Sequence, residues 1–344
     1  MDIKAVHRIS KILEPTEEQK ERMLSNILNK HKNETTKKRG LSPTKRLKPA
    51  LVAAVVAVCL LTTTVFAAAY MGLDPNFLAF LKPSSQEQAE YLANGAYIVD
   101  KQVKNKNGAL DIKQVIGDSN VTLILMDFTA PKGTVLNQAH YSFKDIDIDF
   151  GSGFANYEII SMKDGNVNDN KISLVLRVKT NDSLTGRKIY LKLTDFGSSD
   201  TWPGELTTLF PGEWKTSFQL DFKNYSTDYQ VDKKIKMFDH EAKIKTISVS
   251  PVSVTLKIES NFAEEISKAS GNWEILGENK YSDPYPITIN YKDGTSETTN
   301  IFHGMKDISF SLGEMLFVKT FENVINDKEI KSIVFFGTEI KIAP

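Results

Sequence analysis

The chain has 344 residues, with 43 Lys plus Arg against 43 Asp plus Glu, a formal charge of zero and a single cysteine, Cys59. One cysteine excludes a disulfide framework and a thiolate metal cluster. Lysine outnumbers arginine 37 to 6, which argues against a nucleic-acid partner, because bidentate phosphate forks come from arginine. The length calls for two or more domains.

The neutral total conceals a split. Residues 1–49 are net +7 and the remainder net −7. In the basic segment, Ile3, Val6, Ile9 and Leu13 recur at helical spacing until Glu14-Pro15 interrupts them. Thr16 then opens a capping box with Gln19, and Met23, Leu24, Ile27 and Leu28 form the apolar stripe of a second helix. Neither helix is long enough to be stable alone in water. Their apolar faces require a partner, either a groove on another protein or the anionic inner leaflet. From His31 to Lys48 the sequence is polar, with Gly40 and Pro43 inside it, and reads as a tether.

Ala50 to Met71 is 22 residues without a charge. As a helix it covers about 33 Å, against a hydrocarbon core of about 30 Å. Its nine strongly apolar residues favour insertion by about 3 to 5 kcal/mol. Three rivals exist: a soluble core helix; a cleaved signal peptide, with Ala67 and Ala69 as an A-x-A-like site; and a lipoprotein signal at Cys59. The preceding segment is far longer than an ordinary n-region, and Val58 fills the small-residue position before Cys59. The reading is therefore a single-pass membrane span. Arg39, Lys45, Arg46 and Lys48 precede it and only Lys82 follows closely, so the N-terminus is expected in the cytoplasm and the C-terminus outside the cell.

Beyond the span, Asp74 with Pro75 starts a short helix carrying Phe77, Leu78, Phe80 and Leu81. Ser84 or Ser85 caps the next, which carries Ala89, Tyr91 and Leu92 and stops at Gly95. From Ala96 the period becomes two. Strands are expected at 97–103, 110–116, 121–128, 143–150, 157–162, 172–178, 189–193 and 214–222, separated by turns such as Asn107-Gly108 and Asp164-Gly165. A second set covers 242–249, 252–258, 287–291, 331–336 and 339–342, after a polar link near Asn224 to Lys234. No repeat is evident between the halves. Many short strands with few helices indicate antiparallel sandwiches. The expected fold is mainly β, with two Ig-like β-sandwich ectodomains at 72–225 and 226–344, after a cytoplasmic helical segment at 1–48 and the transmembrane helix at 49–71.

Motifs that carry chemistry are missing. His7, His31, His140, His240 and His303 are scattered, and no nucleophile elbow, Walker or Rossmann pattern occurs. Asp145, Asp147 and Asp149 alternate with Ile146, Ile148 and Phe150, which suits the acidic outer face of a strand better than a calcium loop. The chain is therefore expected to be no enzyme and to need no cofactor or metal. The segment from Trp202 to Trp214 holds two Pro-Gly turns that gather Trp202, Phe210 and Trp214. These rings are the only candidates for an external ligand, and the competing reading has them plug one end of the sandwich.

Three stretches carry a resemblance: MGLDPNFLAFLKPSSQEQAEYLANGAYIVDKQV after the span, IGDSN at Ile116–Asn120 followed by VTLILMDF, and ISVSPVSVTLKIE at Ile247–Glu259. With these parts in this order the chain resembles Gram-positive membrane anti-sigma factors with ectodomains of unknown function. That resemblance implies a cytoplasmic segment that holds an extracytoplasmic-function sigma factor until a signal arrives outside. The zinc type of that segment is excluded by the absence of cysteine before the span, and self-cleavage at Asn-Pro by the absence of that dipeptide. The residues expected to contact the sigma factor are Ile9, Leu13, Met23, Leu24, Ile27 and Leu28. Further partners would be the lipid bilayer and an external ligand or protease, with release by cleavage near Tyr70 to Pro83. The alternative is an envelope binding or adhesion protein merely anchored by its N-terminus.

Overall fold

Period-two alternation from residue 97 onward is realised as antiparallel sheets, and the chain is mainly β. The computed structural model describes residues 72–153, 155–162, 169–201, 204–269, 286–300, 305–309 and 312–342. The expected cytoplasmic helices and membrane span lie outside these residues. Among the described residues no helix is long and apolar enough to cross a membrane.

Two short helices come first, α1 (Pro75–Leu81) and α2 (Gln86–Ala93). The Asp74 carboxylate accepts from the Asn76 amide with Pro75 at the first helical position, as expected, and of the two serines offered for the second cap it is Ser85 whose hydroxyl accepts from the Gln88 amide. Eight strands follow: β1 (Tyr97–Asn105), β2 (Gly108–Gly117), β3 (Val121–Thr129), β4 (His140–Asp149), β5 (Ala155–Ser161), β6 (Lys171–Thr180), β7 (Lys188–Ser199) and β8 (Thr207–Gln219). They form a sheet ordered β1-β2-β3-β6-β5 and a second ordered β4-β7-β8. The sheets share one core in which Phe128 stacks on Phe196 and meets Phe143 and Trp214 edge-on.

The second set comprises β9 (Thr227–Met237), β10 (His240–Val249), β11 (Ser253–Glu259), the helix α3 (Ala263–Ala269), β12 (Pro286–Tyr291), β13 (Ser296–Asn300), β14 (Met305–Ser309), β15 (Glu314–Thr320), β16 (Ile330–Phe335) and β17 (Thr338–Lys341). Its sheets are ordered β14-β15-β11-β10-β9 and β13-β12-β16-β17, again around one core. Each set is thus a pair of sheets packed in sandwich fashion, here called the first and second modules.

The modules repeat one another, contrary to the expectation of no repeat. In the first module the order β1-β2-β3-β6-β5 faces β4-β7-β8; in the second, β9-β10-β11-β15-β14 faces β12-β16-β17, with β13 added. Across the first three strands of each module the pairing registers coincide at an offset of 132: Tyr97 opposes Val115 as Tyr229 opposes Ile247, and Gln114 opposes Leu125 as Thr246 opposes Lys257. Both first strands bulge at the same place, where Asp100 and Asp232 take left-handed backbone angles (φ 46° and 47°). Tyr97-x-Val99-Asp100-Lys101 recurs as Tyr229-x-Val231-Asp232-Lys233. Both lysines reach across the sandwich to a carbonyl of the last strand, Lys101 to Ser217 and Lys233 to Glu339.

Several expectations need correction. The polar stretch from Asn224 to Lys234 is linker only as far as Ser226; from Thr227 it is β9, an edge strand whose exposed lysines mask its alternation. β13, β14, β15 and α3 were not foreseen. β15 escapes a period-two reading because it is buried on both faces. β7 runs to Ser199 rather than Leu193, and β8 begins at Thr207 rather than Trp214.

Candidate functional site

The side chains with the most unusual environments gather where the two modules and the two helices meet. The outer face of the first sheet is not solvated. Ile116, Val121, Leu123, Leu125 and Val175 bury it under Leu73, Phe77, Leu78, Leu81, Ala89 and Leu92 of the helical segment. The same cluster takes in Val252, Leu316, Val318 and Val324 of the second module. The helices are therefore a third layer shared by both modules. This explains why β3 is buried almost end to end.

Polar contacts fix the entry to this layer. The Gln114 side chain accepts from the Asp74 amide at 2.7 Å and donates to the Gly72 carbonyl. Lys113 bridges the Asp74 carboxylate at 2.5 Å and Asp127 at 3.3 Å. Asp127 also meets Lys171 at 2.7 Å and accepts from the Ser173 hydroxyl at 2.6 Å. Burial alone would raise the Asp127 carboxyl, but Lys171, Ser173 and Lys113 together hold it below its ordinary value. Burial would likewise lower Lys113, and its two carboxylate partners raise it instead.

At the other end of the layer the two β-turns that join the repeated strands touch. In the first module the Asp118 amide donates to the Val121 carbonyl; in the second the Ser250 amide donates to Ser253, at the same place in the repeat. Asp118 is wholly buried. One carboxylate oxygen accepts from the amides of Asn120 and Val121, at 2.8 and 2.7 Å, and the other from the hydroxyls of Ser250 and Ser253, the latter at 2.6 Å. Burial pushes its pKa up, and these four donors oppose the shift without cancelling it. A backbone bond adds to the seam, with Val324 donating to Leu81 of α1. Tyr91 of α2 packs against Tyr225 of the linker with centroids 4.0 Å apart and the rings tilted by 32°, while Lys328 lies 5.4 Å over the Tyr91 ring. Burial, with Asp327 and Tyr225 nearby, pushes the Tyr91 phenol up to about 12. A Cβ at Gly95 would come within 2.2 Å of the Tyr225 ring, so any larger residue there requires that ring to shift.

The residues singled out from sequence fall elsewhere. Ile9, Leu13, Met23, Leu24, Ile27, Leu28 and Trp202 lie outside the described residues. Trp214 is a fully buried core side chain, its indole N–H donating to the Gly108 carbonyl at 3.2 Å, and it presents no ring to a ligand. Phe210 is half-buried against the same core, 5.8 Å from Phe128. Asp145, Asp147 and Asp149 are exposed on β4 and alternate with half-buried Ile146 and Ile148, as an acidic outer face should. Asp118, Ser250 and Ser253 had no assigned role in the sequence reading, although all three lie in stretches that carry the resemblance. A groove of about 960 Å3 runs between the edges of β9 and β17, lined by Tyr229, Val231, Lys233 and Ile340 among others. Among the described residues no cluster of three His, Cys, Asp or Glu could hold a metal ion.

No protein-family model matches the chain, and no curated protein does. Among solved structures it is similar to the conserved domain protein from Bacillus anthracis, with 12% identity, a TM-score of 0.45, and coverage of 70% of this chain and 76% of that one. A likeness at this level carries no argument.

Proposed function

We propose that the chain is a single-pass membrane anti-sigma factor, with its N-terminal helices in the cytoplasm and two Ig-like sandwiches outside the cell. The strand order supports the finer fold reading: β2-β3-β6-β5 against β4-β7-β8 is the constant-type immunoglobulin order, and β10-β11-β15-β14 against β12-β16-β17 repeats it. The basic segment at residues 1–49, the uncharged Ala50–Met71 and the amphipathic Ile9, Leu13, Met23, Leu24, Ile27 and Leu28 support the topology and the partner.

One observation carries the reading. The chain enters the fold directly after the expected span, at Gly72, and its first two helices form the layer that joins the sensing modules. A mere anchor needs no such arrangement. A signal relay does, because any change at the module joint must act on the residues next to the membrane. Release by proteolysis fits the same geometry: Leu73, Phe77, Leu78 and Leu81 are buried, so a protease reaches this stretch only after the layer opens.

The test is affinity capture of the tagged full-length chain from solubilised membranes. Recovery of a sigma subunit, lost with Leu24→Asp and Leu28→Asp, is the expected result. Failure to recover one, with transcription unchanged in both variants, would favour the envelope-binding alternative, for which the open groove between β9 and β17 is the supporting feature.

A further inference from the structure

The outer sheet face that α1 and α2 cover in the first module has a counterpart in the second. At the offset of 132, Leu123 and Leu125 correspond to Thr255 and Lys257. Val175, opposite Leu125, corresponds to Leu316, opposite Lys257. A lysine in place of a covered leucine makes this floor unsuited to an apolar helix. A cavity of about 490 Å3 lies over it. That size is ordinary for a small-ligand site, and such sites concentrate between domains. Thr246, Lys257, Glu314 and Leu316 line the cavity from the second module, and Asn181 and Asp182 line it from the first.

The charges around the cavity are only partly matched. Glu259 and Glu314 stand directly opposite each other on β11 and β15, an arrangement that is destabilising by itself. Lys243 and Lys245 offset Glu259, at 3.8 and 3.5 Å. Among the described residues Glu314, Lys257 and Asp182 take part in no ion pair. Leu312 also lines the cavity and is 69% exposed, an apolar surface beside these charges.

We propose that this cavity binds a short zwitterionic peptide, a dipeptide with aliphatic side chains. Its ammonium sits on Glu314, its carboxylate on Lys257, and its side chains against Leu312 and Leu316. The length fits. Glu314 is two residues along β15 from Leu316, which makes it the diagonal neighbour of Lys257, at about 7 to 8 Å. Two extended residues span about 7 Å. The charges select the same ligand. A simple anion would meet Glu314 and Asp182, and a simple amine would meet Lys257, so each would leave a like charge unmatched.

The wall from the first module belongs to the seam. The Asn120 side chain donates to the carbonyls of Thr180 and Asn181, at 3.0 and 3.4 Å, while its amide donates to Asp118. A ligand in the cavity therefore touches both modules beside their joint. Its role as the external signal rests on the proposed function; the binding does not.

Isothermal titration of the full-length chain in mild detergent tests this, with leucyl-leucine, its N-acetyl derivative and its C-terminal amide as probes. Leucyl-leucine should bind with a Kd below about 1 mM, and each blocked form about tenfold more weakly. Lys257→Gln should bind the amide and the free dipeptide alike, and Glu314→Gln the acetylated and the free dipeptide alike. Both side chains are exposed, so these variants keep the fold. No saturable binding of leucyl-leucine overturns the proposal, as does equal binding of the blocked forms by the wild type. Affinities unchanged in both variants overturn it too. A chain that captures a sigma subunit but binds no dipeptide loses this site and keeps the proposed function.

Discussion

Asp118 and Ser250 occupy the same place in the two repeats, 132 positions apart, and they are hydrogen-bonded to each other. The carboxylate of one turn accepts from the hydroxyl of its counterpart, so the modules are joined through corresponding elements. Asp118→Ala leaves two hydroxyls and two amides without their acceptor in a buried site. It should destabilise the protein by about 2 to 4 kcal/mol. Asp118→Asn keeps an acceptor for the amides and offers an N–H to the serines, so it should destabilise by less than half as much. Urea unfolding of both variants measures this.

Acid should act through Asp127. Its folded pKa lies below the ordinary carboxylate value, so the stability it contributes is present above the unfolded value of about 3.9. It is lost as pH falls through the lower folded value. Asp127→Asn should therefore reduce stability at neutral pH and flatten the loss below pH 4. Thermal unfolding from pH 2 to 7 compares the two proteins.

Alkali should act through Tyr91. With the phenol raised to about 12, the folded state keeps a proton that the unfolded state loses near 10. Stability is full below the unfolded value and falls as pH rises through the folded one. Tyr91→Phe should abolish this part of the alkaline loss, and absorbance at 295 nm should lose one late-titrating tyrosine.

The shared layer gives a packing prediction. Phe77→Ala empties a fully buried site beneath both modules and should destabilise by about 3 to 5 kcal/mol. On the proposed function it should also speed proteolysis between Leu73 and Pro83 and raise sigma-dependent transcription. Unfolding without either effect would leave α1 a purely structural element.

Much of this was legible in the sequence. Asp74-Pro75 and Ser85 marked the helix starts, and alternation located most strands of both modules. The shared layer was not legible, because Phe77, Leu78 and Leu81 show only that a helix has an apolar face and not what covers it. The repeat was written in Tyr-x-Val-Asp-Lys at 97 and 229 and was missed. Only seven of the 31 aligned positions from Tyr97 to Asp127 are identical, and the bulge at Asp232 among lysines made β9 resemble a linker. Trp214 stood between a ligand-facing and a core-plugging reading, because a tryptophan between turns has the same local sequence whether it faces water or the core.

Hydrogen exchange on the full-length protein in vesicles tests the coupling most directly. Amides of residues 73–82 should be protected to the same degree as β3 in the wild type, and Asp118→Ala should strip that protection while β3 keeps its own. Free exchange of residues 73–82 in the wild-type protein would contradict the account, because the segment after the proposed span would then be a loose tether with nothing to relay.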